Sequence, residues 1–273
     1  MFYLGRPLWF VELIKKTFPR VKLIAKLTKL PIIGRIIEHM LFEGDDIIYL
    51  MKDQVIQVNK PIEQEEEMVL PSQVVEYFIE KANYHWIMNF CICRASNKCK
   101  DYPIKLGCLF LGEATLGINP QLGRRVTKEE ALEHVRRCRE AGLVHMIGRN
   151  KLDSVWLNVS PGNKLLSICN CCPCCCLWRV LPDISPKIAA KINRMPGTKV
   201  KVNEQCIGCG TCINVCFVDA IRLINNRAVI SDACRGCGRC ITVCPQKAIE
   251  LSIEDSQFIK KAIEKISPLV DVT

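Results

Sequence analysis

The sequence lacks the motifs that define several common enzyme classes. It contains neither a G-x-G-x-x-G dinucleotide fingerprint nor a phosphate-binding P-loop. It has only four histidines, and no Ser/His/Asp constellation can be argued from them. Nicotinamide, ATP and hydrolytic chemistry are therefore not indicated.

Long apolar segments are missing as well. No uncharged stretch is longer than the 14 residues of Leu165–Trp178, fewer than the roughly 18 that a transmembrane helix needs. Arg6 interrupts the apolar start of the chain, and no apolar region typical of a secretory signal peptide follows it. We therefore expect a cytoplasmic protein whose cysteines stay reduced.

Cysteine is absent from both ends of the chain and abundant between them. No cysteine precedes Cys91 and none follows Cys244, yet the 273 residues include 19 of them. The chain is long for a secreted disulfide scaffold, and the missing signal peptide also argues against that class. We interpret the cysteines as metal ligands.

An internal repeat is the most informative pattern. A C-x2-C-x2-C-x3-C motif occurs twice, 28 residues apart, and the pair Ala220-Ile221 recurs as Ala248-Ile249 at the same offset. Zinc sites instead favour separated pairs of cysteines or histidines, so this spacing argues against two zinc knuckles. The eight cysteines of the repeat are Cys206, Cys209, Cys212, Cys216, Cys234, Cys237, Cys240 and Cys244.

At these residues the sequence resembles bacterial-type 2[4Fe–4S] ferredoxins, over residues 198–252. The resemblance implies two [4Fe–4S] clusters, and the fourth cysteine of each motif ligates the other motif's cluster. Pro245 follows the family pattern, whereas Phe217 stands where the first motif usually has proline. The resemblance thus implies cluster I on Cys206, Cys209, Cys212 and Cys244, and cluster II on Cys234, Cys237, Cys240 and Cys216.

A second group of cysteines precedes the repeat. Neighbouring thiolates repel one another and free exposed thiols oxidise, so a dense run of cysteines predicts bound metal. Thiolates select iron–sulfur clusters, zinc or copper(I), and the ferredoxin motif in the same chain favours one or more further iron–sulfur clusters over zinc. The run also resembles ferredoxin-like proteins of anaerobes. The candidate ligands, which the spacing does not divide further, are Cys91, Cys93, Cys99, Cys108, Cys169, Cys171, Cys172, Cys174, Cys175 and Cys176.

Other residues receive plainer interpretations. A helix is predicted over 127–141, with Cys138 on its apolar face, and we expect that cysteine to pack in the core. His145 is expected to be structural, and the arginines of the helix a solvated face rather than a docking site for an acidic redox partner. Strands predicted at 155–159 and 165–168 would make this region loosely winged-helix-like. No recognition helix stands out, however, so nucleic-acid binding is not expected.

We expect an α+β protein with a cysteine-rich domain followed by a 2[4Fe–4S] ferredoxin-like domain. The predicted divisions are a basic, amphipathic N-terminal segment (1–58), the cysteine-rich domain (59–181), a linker (182–197), the ferredoxin domain (198–252) and a C-terminal helix (253–273). Within the first segment we expect two short helices and then a strand over 45–58, and an acidic stretch follows at 63–67.

The first 40 residues carry eight Lys/Arg against two Glu, and apolar residues alternate with them. Two interpretations remain open. The segment is either an interfacial helix at the inner face of a membrane or an amphipathic segment packed on the cysteine-rich domain.

The sequence favours an electron-transfer protein of an anaerobic redox system. Single electrons would pass through the two [4Fe–4S] clusters to or from a further cysteine-ligated cluster and a redox partner protein. One alternative is a reductase whose cysteine-rich domain holds a substrate-binding cluster, and another is a metal-responsive regulator.

Overall fold

The structure is a computed structural model that describes residues 5–53 and 70–273. It confirms an α+β fold with a seven-stranded sheet and two two-stranded sheets. Among the described helices, none has the length and apolar character that a bilayer crossing requires. The helices are α1 (Leu8–Thr17), α2 (Val21–Leu27), α3 (Pro31–Leu41), α4 (Ser72–Lys81), α5 (Ile92–Ser96), α6 (Lys128–Glu140), α7 (Lys151–Leu157), α8 (Pro186–Ala189), α9 (Thr211–Asn214), α10 (Arg239–Thr242) and α11 (Phe258–Ile266). The strands are β1 (Asp46–Tyr49), β2 (His85–Met88), β3 (Leu109–Leu111), β4 (Gly123–Val126), β5 (Val144–Arg149), β6 (Leu166–Cys171), β7 (Ile192–Arg194), β8 (Thr198–Val202), β9 (Ile221–Ile224), β10 (Arg227–Ile230) and β11 (Ile249–Ile253).

The large sheet has the order β4-β2-β3-β6-β5-β1-β7, and all its pairs are antiparallel except β1 with β7. Its central strands are apolar on both faces, because both faces are covered, whereas the edge strand β4 carries the exposed Arg124 and Arg125. Along each strand, neighbouring side chains point alternately to one face of the sheet and to the other. Ile48 joins the core cluster on one face, whereas Ile47 and Tyr49 join the cluster on the other.

Three helices cover the first face. Val74, Val75, Phe78 and Ile79 of α4 pack there with α6 and with Phe258, Ala262 and Ile266 of α11. The predicted helix over 127–141 is confirmed as α6. Thr127 and Glu130 close its N-terminus as a capping box, which satisfies two backbone N–H groups that would otherwise lack partners.

The second face carries the metal-ligand candidates. The N-terminal helices α1 to α3 lie over it, with Val11 and Ala25 among their few buried residues. The two predicted N-terminal helices are confirmed, and the sequence reasoning did not anticipate α3. The module of residues 198–253 packs on the same side of the sheet through Phe217, Val218 and Ala220.

Two short ladders, β8 with β11 and β9 with β10, build the C-terminal module. Asn225 and Asn226 both have positive φ, 49° and 57°. A two-residue hairpin turn needs this left-handed backbone, and asparagine tolerates it. The predicted turn at this dipeptide is therefore confirmed.

Some expectations require correction. Residues 155–159 were predicted to form a strand, but α7 extends to Leu157. Trp156 donates to the buried Asp153 carboxylate three residues earlier at 2.8 Å, a spacing that a helix brings together. A short apolar run does not distinguish strand from helix by periodicity, and with a helix between β5 and β6 the winged-helix comparison is wrong.

The segment 182–197, expected to be a linker, supplies α8 and β7, and β7 is an edge strand of the large sheet. The segment 1–58 likewise supplies β1 to that sheet. The second half of the strand predicted over 45–58 and the acidic stretch 63–67 lie outside the described residues. The predicted C-terminal helix is confirmed as α11, which packs on α4.

Candidate metal centres

The C-terminal module repeats its backbone as well as its sequence. Gly210 precedes α9 with φ 77° and Gly238 precedes α10 with φ 78°. Asp219 and Lys247, also 28 residues apart, have φ 51° and 49°. Such left-handed residues turn the chain sharply and expose backbone N–H groups. Each half therefore presents one curved loop of amides around its cysteines.

Four of these amides point at cysteine sulfurs. The N–H groups of Ala220 and Ala248 donate to Cys216 Sγ and Cys244 Sγ, both at 3.3 Å. Similar bonds of 3.4 Å reach Cys206 and Cys234. Hydrogen bonds to thiolate sulfur stabilise the charged form, which is the form that binds iron. The residues present thus fit an iron–sulfur cluster in each half.

The structure sorts the eight repeat cysteines into two groups. One small cavity is lined by Cys206, Cys209, Cys212 and Cys244, and therefore by three cysteines of the first motif and one of the second. Cys216 lies instead beside Cys234 and Cys237. Burial is the main cause that raises the pKa of Cys234, and the charges of Cys237 and Cys216 raise it further. This grouping has the same pattern as the crossed assignment, which stays a prediction about ligation.

The large sheet places three further cysteines on one face. Cys169 and Cys171 are two residues apart on β6 and therefore point the same way. Cys108 immediately precedes β3, and Leu109 pairs with Ile168, so Cys108 Sγ lies 3.8 Å from Cys169 Sγ. The alternation of side chains along a strand could have predicted from the sequence that Cys169 and Cys171 lie on the same face.

Loops beside the sheet complete a set of six. Cys91 and Cys93 stand at the start of α5, and Cys176 follows the turn after β6. With Cys108, Cys169 and Cys171 they line a cavity of about 210 Å³, which we call the six-cysteine chamber. Its other walls are largely apolar and include residues of α1 and α2.

The chamber thiols are electrically coupled to one another. Hydrogen bonds from Cys108 and Cys93 hold the pKa of Cys91 well below its usual value, and a bond from Cys171 lowers the pKa of Cys176 to about 7. The donating thiols have raised pKa values in return. A soft metal centre would bind all of these sulfurs as thiolates and release the protons of the remaining thiols.

The remaining four candidates form a separate group. The sulfurs of Cys99, Cys172, Cys174 and Cys175 all lie within 4.8 Å of one another. Cys172 also reaches the chamber wall, whereas its three partners do not line that cavity. We call this set the four-cysteine group. The structure thus divides into two sets the ten cysteines that the sequence left undivided.

Arg94 lies between the two sets and is fully buried. Its guanidinium donates to the carbonyl oxygens of Pro103 at 2.9 Å and Asn170 at 2.7 Å, and also to Leu106. Burial by itself would lower its pKa, but the charges of Cys91, Cys172 and Cys108 raise the value above the ordinary one. Arg94 therefore joins the loop 103–106 to β6 and offsets thiolate charge.

Two sites from the sequence analysis are structural. Cys138 is completely buried on α6 and belongs to neither cysteine set. His145 is buried, with Nδ1 2.8 Å from Asn170 Oδ1, and burial lowers its pKa to about 4. A neutral histidine in the sheet interior is consistent with the structural interpretation.

The chamber and the C-terminal module meet at three residues that the sequence reasoning did not connect. Phe217, which directly follows Cys216, packs against Tyr49 with ring centroids 4.8 Å apart and the ring planes tilted by 43°. Tyr49 is fully buried, and its hydroxyl lies 3.5 Å from Cys176 Sγ. The residue that departs from the ferredoxin pattern is therefore one of the residues that contact the large sheet.

Arg239 is the third residue at this junction and is almost completely buried. It lies over the Phe217 ring and donates to the Cys171 carbonyl oxygen. Its Nε and Nη1 atoms have no hydrogen-bond partner among the described residues. A buried cation needs compensating charge, and the sulfurs of Cys237 and Cys171 would supply it when they are ionised as metal ligands. Negatively charged clusters on both sides fit this position.

Comparison with known proteins supports the C-terminal assignment. Residues 198–251 match the family model of the 4Fe-4S dicluster domain, so this part of the chain is such a domain. No curated protein and no solved structure is significantly similar to the chain. The cysteine-rich region fused to the dicluster domain must therefore be interpreted from its own geometry.

Proposed function

We propose that the chain transfers single electrons between a partner protein and an iron–sulfur centre held in the six-cysteine chamber, by way of the dicluster domain. The observation that supports this proposal is the contact between the dicluster domain and the wall of the chamber. A ligand loop of the dicluster domain contacts, through Phe217 and Tyr49, a residue that lines the chamber. Bound clusters would supply one-electron chemistry at each of these sites.

The two cysteine groups of the dicluster domain differ in exposure, which supports a direction for electron transfer through this domain. Cys209 is exposed, and the neighbouring Ile207 side chain is 62% exposed. Cys216, Cys234 and Cys237 pack against the core beside the chamber. We infer that a redox partner docks at the Cys209 end, and that the system works without oxygen, because an exposed cluster thiolate is open to oxidation.

The test is spectroscopic. After anaerobic reconstitution, the protein should contain more than the roughly eight irons of two cubane clusters. The double variant Cys171→Ser, Cys176→Ser should lose the additional iron and its EPR signal but keep both dicluster signals. Cys138→Ser is the matched control, since Cys138 is buried but lies outside both sets. An iron content of about eight in the wild-type protein would refute the proposal.

A second candidate function is a reductase whose substrate enters the chamber. The observation that favours it is the apolar wall opposite the cysteines, which includes Phe18, Val21 and Trp178. Adding small apolar electron acceptors to the reduced protein tests it. Substrate-dependent reoxidation that is slowed by Val21→Trp would support this function, and unchanged spectra with every acceptor would contradict it.

For the location of the protein, we propose that α1 to α3 bind an anionic membrane surface. Large apolar side chains are exposed there, among them Trp9 at 68%, Leu23 at 64% and Ile32 at 76%. Exposed basic residues lie between them: Lys16, Arg20, Lys22, Lys26, Lys29 and Arg35. Each basic residue near an anionic surface contributes about 1 kcal/mol, and the apolar side chains favour insertion at the interface.

Sedimentation with vesicles separates membrane binding from packing alone. Anionic vesicles should bind the protein at low salt and release much of it at high salt, because salt screens the attraction. Lys16→Glu, Lys22→Glu and Lys26→Glu together should abolish binding. The control replaces three exposed lysines elsewhere, Lys199, Lys247 and Lys260. Equal binding by the two triple variants, or none by the wild type, would contradict the proposal.

A further inference from the structure

We propose that the four-cysteine group binds one tetrahedral metal ion, Zn²⁺ by its ligand set, and is not part of an iron–sulfur cluster. The spacing of the sulfurs is the first observation. Cys174 Sγ lies 3.6 Å from both Cys99 Sγ and Cys175 Sγ, and all four sulfurs are within 4.8 Å of one another. A zinc–sulfur bond of about 2.3 Å places tetrahedral thiolates about 3.8 Å apart.

An iron–sulfur cube makes a different demand on its ligands. Each of its four irons carries its own thiolate, and the inorganic sulfides lie between the irons. The thiolates are therefore held farther apart than around one ion, with a space inside them. The six-cysteine chamber has such a space, about 210 Å³. Cys99, Cys174 and Cys175 do not line that cavity, and their sulfurs are in contact with one another.

The local backbone is also suited to a single ion. The turn 172–175 supplies three ligands, and within it the Cys175 N–H donates to Cys172 Sγ at 3.3 Å. Cys99 supplies the fourth ligand from a loop 73 residues earlier. The backbone N–H groups of Tyr102 and Asp101 donate hydrogen bonds to Cys99. Three ligands on one turn and a distant fourth depart from the paired spacing of common zinc motifs, so the inference is carried by the distances between the four sulfurs.

Nearby cations compensate the charge of the site. Four thiolates around a divalent ion carry a net charge of about −2. The Arg94 guanidinium is buried beside Cys172, and Arg179 donates to the Cys174 carbonyl oxygen. Both arginines can stay charged beside the ion, which reduces the cost of burying it.

The expected role follows from which segments the ion would join. The turn 172–175 lies between Cys171 and Cys176, two residues of the chamber wall, and the Cys99 loop continues to Cys108, a third. An ion shared by the two loops would hold these chamber cysteines in place without any redox change, because Zn²⁺ has no accessible second oxidation state. The site thus has a role separate from electron transfer.

Metal analysis of the full chain tests the inference. Protein prepared anaerobically with iron, sulfide and zinc should contain about one zinc per chain. Cys99→Ser, Cys174→Ser should lose that zinc while inorganic sulfide stays at the wild-type level, and Cys138→Ser should keep both. If zinc is retained in the double variant, or if iron and sulfide are lost together in the ratio of a cube, the inference is overturned.

A measurement on the wild-type protein covers the case in which the variant does not fold. Protein prepared with Co²⁺ in place of Zn²⁺ should show the intense thiolate-to-cobalt absorption of a tetrahedral site at about one cobalt per chain. Weak octahedral bands alone would overturn the inference. Because sulfide and EPR signals report the chamber independently, failure of this inference is distinguishable from failure of the electron-transfer proposal.

Discussion

Tyr49→Phe is the sharpest test of the path between the dicluster domain and the chamber. The substitution removes one hydroxyl and keeps the ring that packs against Phe217. Burial holds the pKa of Tyr49 well above its ordinary value, so the hydroxyl keeps its proton. It therefore donates to Cys176 Sγ when that sulfur is a metal-bound thiolate.

The magnitude follows from the hydrogen bond. A donor to a cluster sulfur stabilises the more negative, reduced state more than the oxidised one, and so raises the reduction potential. A bond worth about 0.5–1.5 kcal/mol corresponds to roughly 20–65 mV for a one-electron couple, since about 59 mV is a tenfold change in the equilibrium constant. Tyr49→Phe should lower the potential of the chamber centre by that amount.

An EPR-monitored redox titration measures the shift. The chamber signal should move to lower potential while the signal of cluster I, whose ligands lie outside this contact, stays in place. Tyr77→Phe is the matched control, since Tyr77 is 40% exposed on α4, a helix that packs on the opposite face of the sheet from the chamber. An unchanged chamber potential, or a shift confined to cluster I, would refute the assignment of Tyr49 as a donor to the chamber.

Three further outcomes are expected. Cys216→Ala should damage the EPR signal of cluster II, and loss of the cluster I signal instead would contradict the crossed ligation. Gly208→Ala should lose cluster I iron more readily than Gly210→Ala. Both glycines have positive φ, but a Cβ at Gly208 would lie 2.3 Å from the Asn226 carbonyl oxygen, whereas a Cβ at Gly210 would have its nearest atom 3.7 Å away. Equal iron retention by the two variants would contradict this prediction. Arg239→Gln should lower the reduction potentials of both cluster II and the chamber centre in the same titration, because the variant lacks the buried positive charge beside Cys237 and Cys171. Unchanged potentials at both centres would contradict this prediction.

The spacing of the repeat identified the dicluster domain without any structure. Two C-x2-C-x2-C-x3-C motifs act locally, since most ligands of each cluster lie within seven residues of chain. The Asn225-Asn226 turn and the Thr127 capping box were likewise predictable, because each depends on interactions only two or three residues long.

The second cysteine zone shows what only the tertiary structure decided. Cys108 and Cys169 are 61 residues apart and become neighbours through the pairing of β3 with β6. Cys99 joins the turn 172–175 in the same way across the chain. The density of cysteines in the sequence predicted these ten residues as candidate metal ligands. Their division into a chamber and a compact group depends on strand register, which composition does not encode.

Phe217 shows the same limit at a single position. In the sequence it was a departure from a family pattern, with no contact to explain it. In the structure it packs between Tyr49 and Arg239, residues distant in the chain. The motif spacing predicted that a cluster ligand precedes it. Long-range packing places this loop beside the chamber, where Phe217 joins the core cluster on the second face of the sheet.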